Sequence, residues 1–275
     1  MECWEAQLKT NPELLVVIPY YNRQDTIKRA VNSVLSQTHE NLQLLIVDDA
    51  SDVPARDVIE PDPRIKFFDM KRNVGRYFID AVASRANPFT YYMPHDSDDE
   101  SVPHRLGVLK DKMHTESLDA VFNLERRVDF DGTEIVMPAD PFHEPLHNER
   151  MIHRVHHSAL YNNEALLNSG GYHPGFRTTY DTFVVNALKM VAKIGIVEEP
   201  LYIRHKTENS LTTSVETGYA SPYRKRTKNK LTAMYLRCLD DPTQTKTIIE
   251  DSIAQKPRAR MNAEIRRMKN EMGWS

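Results

Sequence analysis

The chain has 275 residues, of which 40% are hydrophobic and 27% are charged, and its formal net charge is −3. This length fits one large domain, or one domain with an appendage, and the hydrophobic content is enough for a sizeable core. The composition excludes an acidic disordered chain, and the nearly balanced charge excludes an indiscriminate binder of nucleic acid.

The cysteines and the N-terminus indicate a cellular location. The two cysteines, Cys3 and Cys238, have neither metal-site spacing nor a disulfide framework, which favours a reducing compartment. The N-terminal apolar run "LLVVI" is far too short to span a bilayer. We therefore predict a cytoplasmic protein, with membrane contact only at a surface such as the inner face of the membrane.

Short apolar runs alternate with helical patterns over the first hundred residues. Strands are predicted at 14–19, 42–49, 64–70 and 88–94. A helix is predicted at 75–86, and an earlier one carries apolar residues at helical spacing, namely Ile27, Ala30, Val31, Val34 and Leu35. This alternation predicts an α/β fold with a doubly wound, mostly parallel, Rossmann-like sheet flanked by helices.

Polar clusters follow three of these strands directly. They are "YYNR", "DDASD" and "HDSDDE". Open sheets of this class bind ligands beyond the carboxyl ends of their strands. We therefore expect the three clusters to meet at one edge of the sheet and to form a site.

The second half is less regular. Strands are predicted around a turn at Asp131–Gly132, and a loop with proline and histidine is predicted at 138–149. A short helix is expected to end near Gly170 and Gly171, and a longer amphipathic helix is predicted at 178–193. From residue 222 onward the pattern is basic and helical.

Several motifs together resemble family 2 glycosyltransferases of the GT-A fold. They are "VVIPYYNR", "SVLSQTHENLQLLIVDDASD", "RNVGRY", "HDSDDESVPHRL", and "GGYHP" followed by Asp181, within about residues 14–205. The resemblance implies a catalytic domain at 1–220, with a nucleotide-binding half at 1–100 and an acceptor-binding half at 101–220. Residues 221–275 then form a basic helical extension.

This resemblance implies an inverting, metal-dependent glycosyltransferase that uses a nucleotide-diphosphate sugar, a UDP-sugar above all, and an acceptor hydroxyl. It implies a role in the biosynthesis of a glycan, cell-surface polysaccharide or glycoconjugate. Asp96 is expected at the ribose, and Asp98 and Asp99 at Mn²⁺ or Mg²⁺, because a divalent cation offsets the repulsion between clustered carboxylates. The alternative interpretation is an acidic helix N-terminus, which Glu100 and Ser101 fit well.

The same resemblance supplies the remaining site residues. The nucleotide sugar is expected to contact Pro19, Tyr21, Asn22, Asp49, Asn73, Arg76 and Ser97 besides Asp96. Asp181 is the expected general base, although Tyr180 stands where the family often has a second acid. Its alternative is an acid that merely stabilises the start of a helix. His205 is the expected metal-completing histidine.

Other features leave alternatives open. His143, His147, His153, His156 and His157 lack the spacing of a metal motif and are interpreted as structural or acceptor-side residues. A non-catalytic nucleotide-sugar-binding protein and a nucleotidyltransferase are the competing functions, but "PYYNRQD" lacks the glycine-rich phosphate loop of the latter. The basic C-terminus is either a packed helix or a surface for an anionic partner.

Overall fold

A computed structural model describes residues 12–153, 156–207, 211 and 214–274 of the chain. Its strands are β1 (Leu14–Tyr20), β2 (Leu42–Asp48), β3 (Ile65–Asp69), β4 (Tyr91–Pro94), β5 (Glu100–Ser101), β6 (Ala120–Val128), β7 (Glu134–Val136), β8 (Ala159–Asn162) and β9 (Ile194–His205). Cys3 lies outside the described residues.

The helices carry the rest of the regular structure. They are α1 (Gln24–Leu35), α2 (Ala55–Val58), α3 (Arg76–Ala86), α4 (Arg105–Thr115), α5 (Asp140–His143), α6 (Asn163–Asn168), α7 (Tyr180–Val191), α8 (Pro222–Asp240), α9 (Thr245–Ser252) and α10 (Gln255–Met272), with a 3₁₀ helix at Pro242–Gln244. Within the described ranges, no helix combines the length and the apolar character that a bilayer crossing requires.

One sheet runs through the described part of the chain in the order β3-β2-β1-β4-β8-β6-β9-β5, and β7 pairs with β6 outside this path. The first four strands in this order are parallel. β8 lies antiparallel between β4 and β6, whereas β9 is parallel to β6. The predicted α/β class and the parallel strands of the first half are confirmed.

The register aligns the strand ends that matter for a site. Tyr20 pairs with Asp48, and Asp48 pairs with Asp69, so β1, β2 and β3 end at the same level. β4 ends at Pro94, opposite Val17 of β1, and its following loop continues along the same edge. The polar clusters after β1, β2 and β4 therefore meet at one edge of the sheet.

Helices cover both faces of the sheet. Leu14, Val16 and Ile18 of β1 pack on the side of α1 and α4, and Leu15 and Val17 pack on the side of α3 and α7. This burial on both faces explains why the strand reads as a continuous apolar run. Buried residues of α8, α9 and α10 join the second of these clusters, namely Leu231, Met234, Tyr235, Cys238, Ile249, Met261 and Met268.

The C-terminal helices thus share a hydrophobic core with the sheet. α10 packs against α3 and β3. Arg267 of this helix lies 3.9 Å from the ring centroid of Phe68 and donates to the backbone oxygen of Asp69 over 2.8 Å. The division at residue 220 stays a prediction, and the core is continuous across it.

Candidate active site

The loop after β1 presents one exposed aromatic ring. Tyr21 is 49% exposed, whereas Pro19 lies inside β1 and pairs with Val47. The Asn22 side chain donates to Asp52 Oδ2 over 2.9 Å and accepts from the Asp52 backbone N–H over 2.8 Å. Asn22 therefore holds the first two loops together, and Tyr21 is the side chain of this loop that is placed to pack against a flat base.

Asp49 organises the loop before α3. Its carboxylate accepts backbone N–H groups of Val74 (2.7 Å) and Gly75 (2.8 Å). Gly75 has a φ of 84°, which favours glycine, and precedes the first helical residue. Burial raises the pKa of Asp49 to about 6, despite these hydrogen bonds. Asn73, in the same loop, accepts from Arg177 over 2.6 Å.

Arg76 opens α3 between two carboxylates. Its Nε lies 3.2 Å from Asp80, and its Nη1 pairs with Asp96. Burial lowers the pKa of Arg76, but the electrostatic effects of Asp80 and of neighbouring tyrosines together outweigh this effect, so the pKa is raised overall. Its Nη2 is buried and has no hydrogen-bond partner among the described residues. This donor is available to an oxygen of a bound anion.

The acids after β4 do not share one environment. Asp98 accepts from the Thr207 hydroxyl over 2.8 Å and lies 3.9 Å from Arg23 Nε. The backbone oxygen of Ser97 accepts from the Thr26 hydroxyl over 2.9 Å, which anchors the loop to α1. Asp98 is therefore already engaged with a cation from the loop after β1 and a hydroxyl from the segment after β9.

Asp99 is 1% exposed and accepts the backbone N–H of His205 over 2.9 Å. Burial raises its pKa well above the usual range, and the charge of neighbouring Asp98 adds to this shift. The His205 ring instead lies 2.6 Å from Glu100. The His205 backbone therefore donates to Asp99, whereas the His205 imidazole lies against Glu100.

Asp96, Asp99 and His157 bring one ligand atom each within 4.8 Å of one another. His157 Nδ1 is 3.5 Å from Asp96 Oδ2, and its Nε2 is 2.7 Å from Glu125. Burial alone would raise the pKa of Glu125, but His157 and Arg204 outweigh it, so the pKa is lowered. An imidazole held by a carboxylate at its second nitrogen is the usual environment of a metal-ligating histidine.

Buried side chains that the motifs did not single out support this cluster. Arg105 donates to Asn123 (2.9 Å), to the Ser101 hydroxyl (2.8 Å) and to the backbone oxygen of His157 (2.8 Å). Its guanidinium lies 4.7 Å from the ring centroid of Tyr202. Burial lowers the pKa of Arg105 to about 10. This network fixes the backbone at His157. In the sequence, the indication of a buried polar network here is Glu125, a charged residue directly after the apolar stretch of β6.

The observed positions of Glu100 and Ser101 correct one interpretation of the sequence. Glu100 and Ser101 pair with Ile203 and Tyr202 of β9, and α4 begins only at Arg105. The alternative of an acidic helix N-terminus is therefore wrong for these two residues. Their place is in the sheet.

Asp181 lies in the first turn of α7, as predicted. Burial raises the pKa of Tyr77 well above its usual range, and the neighbouring charge of Asp181 raises it further. Thr179, just before the helix, has a φ of 70°, an uncommon conformation for a β-branched residue. Tyr180 is fully buried and donates to the Gly171 backbone oxygen over 3.0 Å, so it belongs to the core.

Consecutive residues of α3 link the acids to this helix. Arg76 pairs with Asp96, and Tyr77 contacts Asp181. The structure thus connects the acid loop and the candidate base through one rigid helical turn.

Comparisons with known proteins identify the family of this fold and site. The family model described as "Glycosyl transferase family 2" matches residues 15–179. The chain is 34% identical over 97 residues to the succinoglycan biosynthesis protein ExoO of Rhizobium meliloti, which is 34% of this chain and 28% of that protein. It is 26% identical over 184 residues to chondroitin synthase of Escherichia coli, covering 64% of this chain and 26% of that protein. The chain therefore corresponds to less than a third of either relative.

A solved structure shows the same architecture. The chain resembles the crystal structure of S. aureus TarS 1-349 in complex with UDP-GlcNAc with a TM-score of 0.62 and 18% identity, covering 92% of this chain and 79% of that chain. This likeness confirms the predicted GT-A fold.

Proposed function

The chain belongs to glycosyl transferase family 2, as its motifs predicted, and we propose that it moves a sugar from a UDP-sugar to an acceptor hydroxyl with inversion at the anomeric carbon. The observation that carries this proposal is the link through α3, in which Arg76 pairs with Asp96 and the next residue, Tyr77, lies close enough to Asp181 for its charge to raise the Tyr77 pKa. The names of the relatives, a succinoglycan biosynthesis protein and a chondroitin synthase, support a role in polysaccharide biosynthesis. The cytoplasmic location stays a prediction.

We assign the nucleotide to the edge formed by the first two loops. The exposed Tyr21 ring is suited to stacking on a uracil, and the Asp49 carboxylate is suited to accepting a base N–H. Asn22 and Asn73 hold the loops through Asp52 and Arg177. The TarS structure contains UDP-GlcNAc, which supports a uridine nucleotide at this edge.

The residues present fit a divalent cation. Asp96, Asp99 and His157 supply two carboxylates and one imidazole, a donor set that suits Mn²⁺ better than Mg²⁺, which prefers oxygen ligands. When bound, such an ion neutralises negative charge on a diphosphate. Asp99 belongs both to this set and to the set predicted from the motifs, whereas Asp98 and His205 remain predicted ligands.

The chemistry of this chain's own residues follows from their positions. Asp181 accepts the proton of the acceptor hydroxyl as that oxygen attacks the anomeric carbon. The bond from that carbon to the diphosphate oxygen breaks on the opposite face, and the electron pair leaves with the diphosphate. The free Nη2 of Arg76 donates to the departing oxygens, where negative charge accumulates. The sugar is transferred with inverted configuration.

The test measures which phosphate product appears. Purified protein is incubated with a panel of UDP-sugars and Mn²⁺, and released UDP and pyrophosphate are quantified separately. We expect UDP, less of it with a chelator, and much less with Asp181→Asn, whereas Asp251→Asn, at an exposed helical acid, behaves as wild type. Released pyrophosphate would indicate a nucleotidyltransferase. Tight binding of UDP-sugars without turnover, even with candidate polysaccharide acceptors, would indicate a binding protein.

A further inference from the structure

Exposed cations are concentrated at the start of α8. Lys225, Arg226, Lys228 and Lys230 are all exposed, and none forms an ion pair with any residue that the structure describes. The buried residues of this helix, including Leu231 and the residues one turn further on, face the core. The cations therefore lie on the side turned away from the protein.

This arrangement is unfavourable for the helix by itself. The first turn of α8 contains no acidic residue, although the positive end of the helix dipole lies there. Lys225 and Arg226 add positive charge close to that end, and Lys228 and Lys230 follow further along the helix. A nearby anionic partner removes this electrostatic cost, so the arrangement favours contact with negative charge.

Exposed apolar side chains precede the same helix in the chain. Val215 is 95% exposed and Tyr219 is 66% exposed, directly before the helix. The Arg224 guanidinium lies 5.0 Å from the Tyr219 ring centroid, and its Nε donates to the Thr217 backbone oxygen over 2.7 Å. The turn that carries these side chains is thus tied to the first turn of α8, and Glu216 is an exposed acid within it.

From this combination we infer that the start of α8, together with Val215 and Tyr219, is a docking surface for a lipid bilayer with anionic headgroups. Lysine and arginine bind such headgroups, whereas an aliphatic side chain and a tyrosine insert at the level where headgroups meet acyl chains. A polyanionic polymer would satisfy the cations but would leave Val215 in water. The apolar residues therefore favour a membrane.

This surface lies at the start of α8 and not in α10, the second basic stretch of the C-terminal extension. In α10, Arg267 packs on Phe68, and Arg258 donates to the backbone oxygen of Glu250. These cations are used within the fold. The docking surface follows β9 along the chain, and β9 ends at His205, whose backbone N–H donates to Asp99.

The test is sedimentation of the full chain with vesicles at low ionic strength. The probe is phosphatidylcholine containing phosphatidylglycerol, with pure phosphatidylcholine as the neutral arm. We expect binding to the anionic vesicles only, with loss on adding salt. A variant with Lys225, Arg226, Lys228 and Lys230 all changed to glutamine should bind at least about a hundredfold more weakly, since each such charge contributes about fivefold.

Two further variants separate the explanations. The matched control replaces four exposed cations elsewhere by glutamine, namely Lys28, Lys66, Lys71 and Arg266. It should bind the anionic vesicles nearly as well as the wild type. Val215→Ser with Tyr219→Ser should weaken vesicle binding but not retention on an anionic polymer such as polyglutamate.

Three outcomes would overturn the inference: wild-type protein that ignores anionic vesicles, equal losses in the control and α8 variants, or binding to polyglutamate without binding to vesicles. Release of UDP in solution is measured on the same samples. It should be unchanged in every variant, so failure of membrane docking is distinguishable from failure of the transfer reaction.

Discussion

Replacing His157 by alanine tests whether its imidazole binds a divalent cation. The structure places this ring 3.5 Å from Asp96 and 2.7 Å from Glu125, and no other imidazole joins the donor group within the described residues. His157→Ala removes one of three protein ligands. It also leaves Glu125, which is 4% exposed, without the imidazole that lies 2.7 Å from it.

The magnitude follows from these contacts. Losing a residue that only orients a ligand costs 10–100-fold in metal affinity, so losing the ligand itself should raise the Kd for Mn²⁺ by about 100-fold, or about 2.7 kcal/mol. Glu125→Gln keeps the shape of the side chain but removes its charge. It should raise the Kd for Mn²⁺ by about tenfold, the lower end of that range. Because an imidazole nitrogen favours Mn²⁺ over Mg²⁺, the preference for Mn²⁺ should also shrink in His157→Ala.

The assay is the concentration of free Mn²⁺, measured by electron paramagnetic resonance during titration of the protein with UDP present. The matched control is His156→Gln, because His156 is the adjacent buried histidine and bonds to the Tyr172 hydroxyl over 2.8 Å instead of joining the donor group. Wild-type Mn²⁺ affinity in His157→Ala would refute the reasoning. If Asp98→Asn and His205→Ala weakened binding instead, the ion would belong to the set predicted from the motifs.

Three other outcomes are expected. Asp181→Asn should lower transfer by roughly two to four orders of magnitude while calorimetry shows unchanged UDP-sugar binding, and retention of anomeric configuration by NMR would contradict direct displacement. The pKa of Asp49 in the folded protein, about 6, lies above its unfolded value. The contribution of the Asp49 carboxyl group to the free energy of unfolding therefore falls as the pH rises from about 4 to 7. Over that range, urea unfolding should show that the wild type loses about 2 kcal/mol of stability relative to Asp49→Asn. Met268→Ala, at a fully buried position of α10, should lower the free energy of unfolding by about 2–5 kcal/mol in one cooperative transition. The control Arg266→Ala, at an exposed position, should lower it by less than about 0.5 kcal/mol. A separate early transition would show that α10 unfolds independently.

The first half of the fold could be predicted because its strands are buried on both faces. A run such as "LLVVIP" has no polar position for water, and the helices between such runs show a regular apolar face. Once the strands are parallel, their carboxyl ends must share an edge. The convergence of the loops that carry Tyr21, Asp49 and Asp96 at one edge therefore followed from local sequence alone.

The donor set could not be predicted in the same way. His157 meets Asp96 only because β8 lies between β4 and β6, an arrangement of strands that local patterns do not specify. The strand β9 was also missed, since it contains Glu198, Glu199 and Pro200, and its pairing with β6 is irregular near Asn123 and Leu124. Polar residues take their roles from such long-range pairings, so the motifs predicted Asp99 as a metal ligand but assigned Asp96 to the ribose and left His157 as a structural or acceptor-side residue.

The packing of α10 on β3 has a consequence for the order of events during synthesis. Arg267 and the Asp69 backbone that it contacts are 198 residues apart in the chain. At about 5–20 residues per second, a ribosome needs about 10–40 s to make the intervening segment. Throughout that time Phe68 and the adjoining face of α3 lack their final cover, although the parallel strands beside them are complete. We therefore expect chaperones to bind a nascent chain at this uncovered face, and proteases to degrade a chain whose synthesis is interrupted.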